Sequence, residues 1–294
     1  MSMSRRLVRD GQGHPVLPVV VALLMLLVTP APGRAQWQFG SAPSFTTGRY
    51  GTDTRTEVLH TPITARRLFD DGDVSFVFPF MCVWGNGGVT VVNGSPIRSE
   101  RLAGSGTSSV RGRVTDGSGA ARATGDTGGA VKDCGVGDIV VRGRYYVLDE
   151  RGWAPTIAIR AHVKAPTASA ERGLGTGRAD EGVGIEISRG LPGGTLAMFD
   201  GGYTVIGKPQ NIDYDNTWWY DVGVGRDFVN GAVNLSVFFE EYSAIVPGLV
   251  KARDILASVS LAGASGWRVQ LSGQFGLSDG APDHGLTFGA SRRF

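Results

Sequence analysis

Apolar and polar residues alternate along this chain in short, repeated runs. From Thr56 to Phe69 the pattern is strand-like, Asp70-Asp71-Gly72-Asp73 turns the chain, and Val74-Ser75-Phe76-Val77-Phe78-Pro79-Phe80 begins the return. That turn chemistry suits a hairpin. The same unit recurs: "GDIVVRGRYYVL" with "WAPTIAIRAHVK", "GVGIEIS" with "TLAMFDGGYTVI", "WWYDVGVGRDF" with "VNLSVFFEEY", and "ILASVSLAG" with "WRVQLSGQFGL". Each pair is joined by a short turn, whereas the links between pairs are longer and polar, as in "APTASAERGLGTGRAD" and "SAIVPGLVKARD". A first strand within 36–50 and a last one at 284–294 bring the count to twelve, with both chain ends on the same side. In the final segment Leu286, Phe288, Ala290 and Phe294 share one phase, so the alternation runs to the last residue.

Short turns on one side and long loops on the other are the asymmetry of transmembrane barrels. A soluble sandwich mixes loop lengths at both ends. Periodicity reports amphipathicity and not direction, so a soluble barrel with its apolar phase inward shares the pattern. Two features favour the membrane. The polar phase is rich in Gly, Ser and charges, and aromatic residues collect near strand ends at Trp84, Trp153, Trp218, Trp219 and Trp267, as bilayer girdles do. The expected architecture is all-β: a transmembrane, antiparallel, up-and-down β-barrel of about twelve strands over 36–294, with 85–133 as a long Gly/Ser-rich outer loop.

Composition agrees, because 45 glycines and only 19% charged residues suit a turn-dense β protein. The N-terminus adds an export signal: Arg5, Arg6 and Arg9 precede the apolar run 19–28, and Gly33-Arg34-Ala35 offers small residues for cleavage before Gln36. Residues 1–35 therefore read as a signal peptide, the alternative being a membrane anchor, for which about 20 apolar residues are needed. Its removal takes away four arginines and one aspartate and leaves the remainder near neutrality, so no nucleic-acid partner is implied. Export also permits Cys82 and Cys134 to form a disulfide, with two free buried thiols as the alternative. Neither cysteine has a ligand at metal-binding spacing, so no metal is expected. A bridge would close a loop of about 50 residues, for which chain entropy gives roughly 4 kcal/mol. The two cysteines sit on opposite simple phases, so the bridge requires a twist or bulge before Gly135.

The charges concentrate on the inward phase. Arg142, Arg144, Arg160, His162 and Lys164 make a basic wall on one hairpin, and Asp138, Glu186, Asp200, Asp221 and Glu240 occupy inward phases of their own strands. These ten are the candidate pore-lining residues. They read either as a charged constriction that selects solutes or as a salt-bridge plug that fills a narrow barrel. His60 is also inward and His284 lies near the outer edge, but no nucleophile and base stand out, so no catalysis is expected. "GLGTG" at 173–177 lacks the Lys-Ser/Thr of a phosphate loop and no helical pattern follows, so no cofactor is expected.

Gly137-Asp138 opening a strand, Lys164 with Pro166-Thr167 leading into Gly173-Leu174-Gly175-Thr176-Gly177 and Asp180, Gly202-Tyr203, Ser278-Asp279-Gly280 with Pro282-Asp283, and terminal Phe294 follow one another in order. In this the chain resembles the Gram-negative outer-membrane barrels of the phenol-degradation meta-pathway family. The long Gly/Ser loop and the cysteine pair are departures. The resemblance implies outer-membrane location, contact with outer-membrane lipid, and passage of small molecules, aromatic ones included. It also implies that Phe294, with Phe288 on the same phase, is recognised by the barrel-assembly machinery. Arg292 departs from the terminal pattern by occupying the lipid phase, where its side chain can snorkel. The expected function is a channel or uptake barrel for small aromatic or anionic solutes; the alternative is a closed structural barrel whose long outer loop binds a partner.

Overall fold

The computed structural model of the protein describes residues 36–51, 54–85, 89–92, 95–98, 131–209 and 214–294. Its strands are β1 (Gln36–Ser41), β2 (Ser44–Gly48), β3 (Thr56–Phe69), β4 (Gly72–Gly85), β5 (Val89–Val92), β6 (Ser95–Arg98), β7 (Val131–Val136), β8 (Ile139–Leu148), β9 (Thr156–Ala165), β10 (Asp180–Leu191), β11 (Thr195–Val205), β12 (Thr217–Phe228), β13 (Val233–Tyr242), β14 (Ala252–Ala262), β15 (Trp267–Gly276) and β16 (His284–Arg293). β5 and β6 form a separate hairpin between β4 and β7 in the sequence; most of the expected outer loop 85–133, and the expected signal peptide 1–35, lie outside the described residues. The other fourteen make one sheet of antiparallel neighbours, closed where β1 and β2 pair with both β3 and β16.

Two of the sheet's members are interrupted strands, which brings the wall to twelve. β1 and β2 keep one register against β3, with Ser41 opposite Ile63 and Ser44 opposite His60. The gap is Ala42-Pro43, where proline has no N–H to give the ladder. β7 and β8 differ, because between them the register against β4 slips by one. Phe80 faces Val136 and Val77 faces Val140, so Phe78 and Pro79 oppose three residues, Gly137, Asp138 and Ile139. That is a β-bulge, and it turns the strand's phases over. The irregularity needed to bring the cysteines together therefore lies after Val136 and not before Gly135. It sits opposite Pro79, whose missing N–H leaves a slot in the ladder and whose carbonyl accepts the Gly137 N–H at 2.8 Å. Above the bulge Cys82 and Cys134 are direct cross-strand partners, Cα atoms 4.1 Å apart, and are joined as a disulfide.

The direction that periodicity leaves open is visible in the exposed surface. Ile63, Phe78, Tyr145, Val224, Leu271 and Leu286 all point outward and are exposed, while Arg66, Arg144, Asp73, Glu186 and Ser272 lie on the inner phases. A soluble barrel does the reverse. A continuous apolar belt of this size on a β-barrel is a lipid contact. At the end with the short turns, Trp37 stacks on Phe39, Phe39 meets Phe294 edge-on, and the Arg292 guanidinium lies 4.7 Å from the Phe294 ring and 5.7 Å from that of Trp267. Arg292 thus ends over a rim of aromatic rings, where a charged head reaches the interface.

Candidate functional site

The lumen is organised by a ladder of carboxylates. Glu186 faces Asp200, Asp200 faces Asp221, Asp221 faces Glu240, and Glu240 faces Asp254, one residue from each of β10 to β14. Like charges directly opposite in a sheet repel, so each needs a counter-charge or a ligand. Two have one. Arg144 reaches Glu186 at 3.1 Å and also Asp73 at 3.0 Å, which Arg66 holds from the other side at 2.6 Å. Arg160 pairs with Asp200. Asp221, Glu240 and Asp254 make no ion pair among the described residues; Glu240 and Asp254 hydrogen-bond each other instead, and Asp254 also bonds Gln274.

Asp254 is absent from the ten candidates because the pattern in "ILASVSLAG" starts that strand at Ile255; β14 begins at Ala252 and carries Asp254 inward beside Glu240. Trp219 is the other revision. It belongs to no girdle: it faces the lumen, stacked on Tyr242 at 6.4 Å and under the Arg160 guanidinium at 5.6 Å. Two glycines make room for it. A Cβ on Gly202 would stand 2.8 Å from the indole, and one on Gly184 3.3 Å, so the ring lies against bare backbone. Trp218, one residue earlier, points to lipid and stacks on Tyr220.

The expected basic wall divides in two. Arg142 stands exposed to the lumen and makes no hydrogen bond or ion pair among the described residues. Its cross-strand partner His162 touches the Thr204 hydroxyl at 3.5 Å. Lys164 and Asp138 do not line an open passage. Lys164 is 0% exposed, its ammonium 2.9 Å from Asp138, 2.7 Å from Asp180 and 3.0 Å from the Thr176 hydroxyl. What covers it is the connection 166–179, which folds back into the outer mouth and seats Leu174 among Val58, Met81, Val83 and Ala168. Asp138 also accepts the Ala168 N–H, Asp180 the Gly207 N–H, and Thr167 bridges Gly137 and Ile139. Of the ordered motifs noted above, Gly137-Asp138, Lys164, Thr167, the run from Gly173 to Gly177 and Asp180 therefore converge on one clasp that ties two outer loops to the wall.

A second outer connection also bends inward. Ile245, Val246 and Leu249 pack with Ile206 and Tyr214 and roof a cavity of about 700 Å³. Arg142, Arg160, His162, Asp200, Trp219, Asp221, Glu240, Tyr242, Asp254 and Gln274 form its walls, and Tyr50 and Pro282 close its rim. Tyr50, in the turn after β2, hydrogen-bonds Thr46, and burial pushes its phenol up to about 12. Among the described residues no group of three or more His, Cys, Asp or Glu is placed to hold a metal ion.

Twelve antiparallel strands closed on themselves, apolar outside and charged within, define an outer-membrane β-barrel. Residues 86–294 match the family described as "Putative MetA-pathway of phenol degradation", and the chain belongs to it. No curated protein matches it in sequence. Among solved structures it is similar to an outer membrane channel from Pseudomonas putida F1, at 12% identity and a TM-score of 0.63, over 90% of this chain and 97% of that one. Looser overlays include the β domain of the Bordetella autotransporter BrkA, at 12% identity and TM-score 0.46 over 88% and 99% of the two chains. The CymD monoaromatic hydrocarbon channel overlays at 10% identity and TM-score 0.41 over 88% of each chain.

Proposed function

We propose that the protein is a passive channel that carries small solutes, aromatic ones among them, across the outer membrane. The observation that carries this reading is the lumen cavity of about 700 Å³, walled by Arg142, Asp221 and Glu240 and roofed by loops folded into the mouth. A packed salt-bridge plug would leave no such space and no exposed, unpaired guanidinium. Loops that narrow the entrance restrict passage to small molecules. The family's description names phenol degradation, which supports an aromatic cargo. In the same reading residues 1–35 leave as an export signal, and Phe288 and Phe294 present the terminal signal to the assembly machinery.

Reconstituted into liposomes, the barrel should pass benzoate and phenol above the rate of protein-free vesicles. Neutralising Arg142 and Arg160 together should lower benzoate entry more than phenol entry, because only benzoate carries the charge those residues face. Flux no greater than in protein-free vesicles would refute the channel.

A further inference from the structure

Three carboxylates and one guanidinium of the lumen have no ion-pair partner among the described residues, and they stand on different walls of one cavity; Glu240 and Asp254 do hydrogen-bond each other. Asp221, Glu240 and Asp254 come from β12, β13 and β14; Arg142 comes from β8, across the lumen in the strand order. Asp254 is only 3% exposed, yet its Oδ1 has no hydrogen-bond partner, and the same holds for Oδ1 of Asp221. Buried carboxylate oxygens without partners are costly, and the cost falls when a donor arrives. No lysine or arginine of the described residues fills that place, although Arg160 beside them is held by Asp200. The same cavity is lined by Trp219, packed against Gly184 and Gly202 and stacked on Tyr242, and by the apolar side chains of Ile245 and Leu249.

We infer that this cavity is a selectivity site for small zwitterions with an aromatic or apolar body, the ammonium taken by Asp221, Glu240 and Asp254 and the carboxylate by Arg142. A singly charged solute satisfies one pole and faces the other unshielded. A neutral one satisfies neither. A zwitterion aligned across the lumen satisfies both, and its body lies along the apolar and aromatic lining that Trp219, Tyr242, Ile245 and Leu249 give the same cavity. The inference rests on the channel reading and specifies its cargo: charges on opposing walls orient a dipole crosswise as it passes.

The test uses three solutes with nearly the same body: L-phenylalanine, phenylacetate and phenethylamine, at low concentration, entering liposomes that hold the full barrel. After subtraction of entry into protein-free liposomes, L-phenylalanine should enter about threefold to fivefold faster than either analogue, the range expected for one partly hydrated ion pair. Arg142→Gln should slow phenylalanine and phenylacetate and leave phenethylamine unchanged or faster. Glu240→Gln, and separately Asp221→Asn, should slow phenylalanine and phenethylamine and spare phenylacetate. Each variant is compared only after its folded form is confirmed by retarded unfolding in detergent on heating. Equal entry of the three solutes, or an order set by net charge alone, overturns the zwitterion site and leaves the channel standing. Entry of all three no faster than into protein-free liposomes overturns both.

Discussion

Replacing Lys164 with Met removes the cation from the clasp while nearly preserving its volume. Asp138 and Asp180 then face each other across the vacated ammonium position, Asp180 being completely buried. Breaking a buried ion pair from one side costs about 3–5 kcal/mol, because a charge is left without a partner. Here two carboxylates are stranded, but the connection 166–179 can lift and admit water, so the lower end of that range applies. The opening has two reporters, the amides of Ala168 and Gly207, which donate to Asp138 and Asp180 at 2.9 Å each. A loss of about 3 kcal/mol corresponds to roughly a hundredfold faster hydrogen exchange at both. The triple variant Lys164→Met, Asp138→Asn, Asp180→Asn carries no stranded charge and should return to within about tenfold of the parent rates. Unchanged exchange in Lys164→Met would refute the argument, as would a triple variant as open as the single one.

Tyr50 gives a pH test. Its phenol is held neutral up to about 12 in the folded barrel against an ordinary 10.0, so the folded state keeps a proton that the unfolded chain loses. Stability from this group is complete below pH 10 and is lost as pH rises from 10 to 12; urea unfolding in detergent should show Tyr50→Phe falling less than the parent across that window. Deleting Phe294 should reduce the heat-modifiable, folded fraction recovered from outer membranes severalfold while leaving refolding into detergent micelles intact; unimpaired assembly would remove its role as a signal. That deletion also takes away a ring packed on Phe39 and Arg292, so normal micelle refolding is the control that separates recognition from rim packing.

The wall of the barrel was legible because each of its strands carries its own two-residue period, and turns such as Asp70-Asp71-Gly72-Asp73 announce themselves chemically. Direction was not, since an apolar phase looks the same whether it meets lipid or a core. Only the exposure of residues such as Ile63 and Leu286 decides it. The lumen was half legible. Glu186, Asp200, Asp221 and Glu240 follow from phase alone, but their alignment into one ladder depends on strand-to-strand register, which no single strand encodes. Asp254 fell outside a strand read as starting at Ile255, three residues after β14 begins. Lys164 was on the inward phase, as expected, and still does not face the passage, because a loop fourteen residues long folds over it. Trp219 shows the weakness of composition near strand ends: two adjacent tryptophans cannot both face lipid, and phase assigns one of them to the lumen.

The bulge opposite Pro79 works as a change of reading frame. Below it, the strand answers to the bilayer and the lumen; above it, the inner and outer sides have been exchanged, and the six residues of β7 follow a convention of their own. An insertion or deletion in the segment 86–130 therefore need not propagate into β8, since the frame is reset at Gly137 and pinned by the disulfide at Cys134. The chain between β4 and β7 can vary in length and in sequence without renegotiating which side chains of the barrel meet lipid.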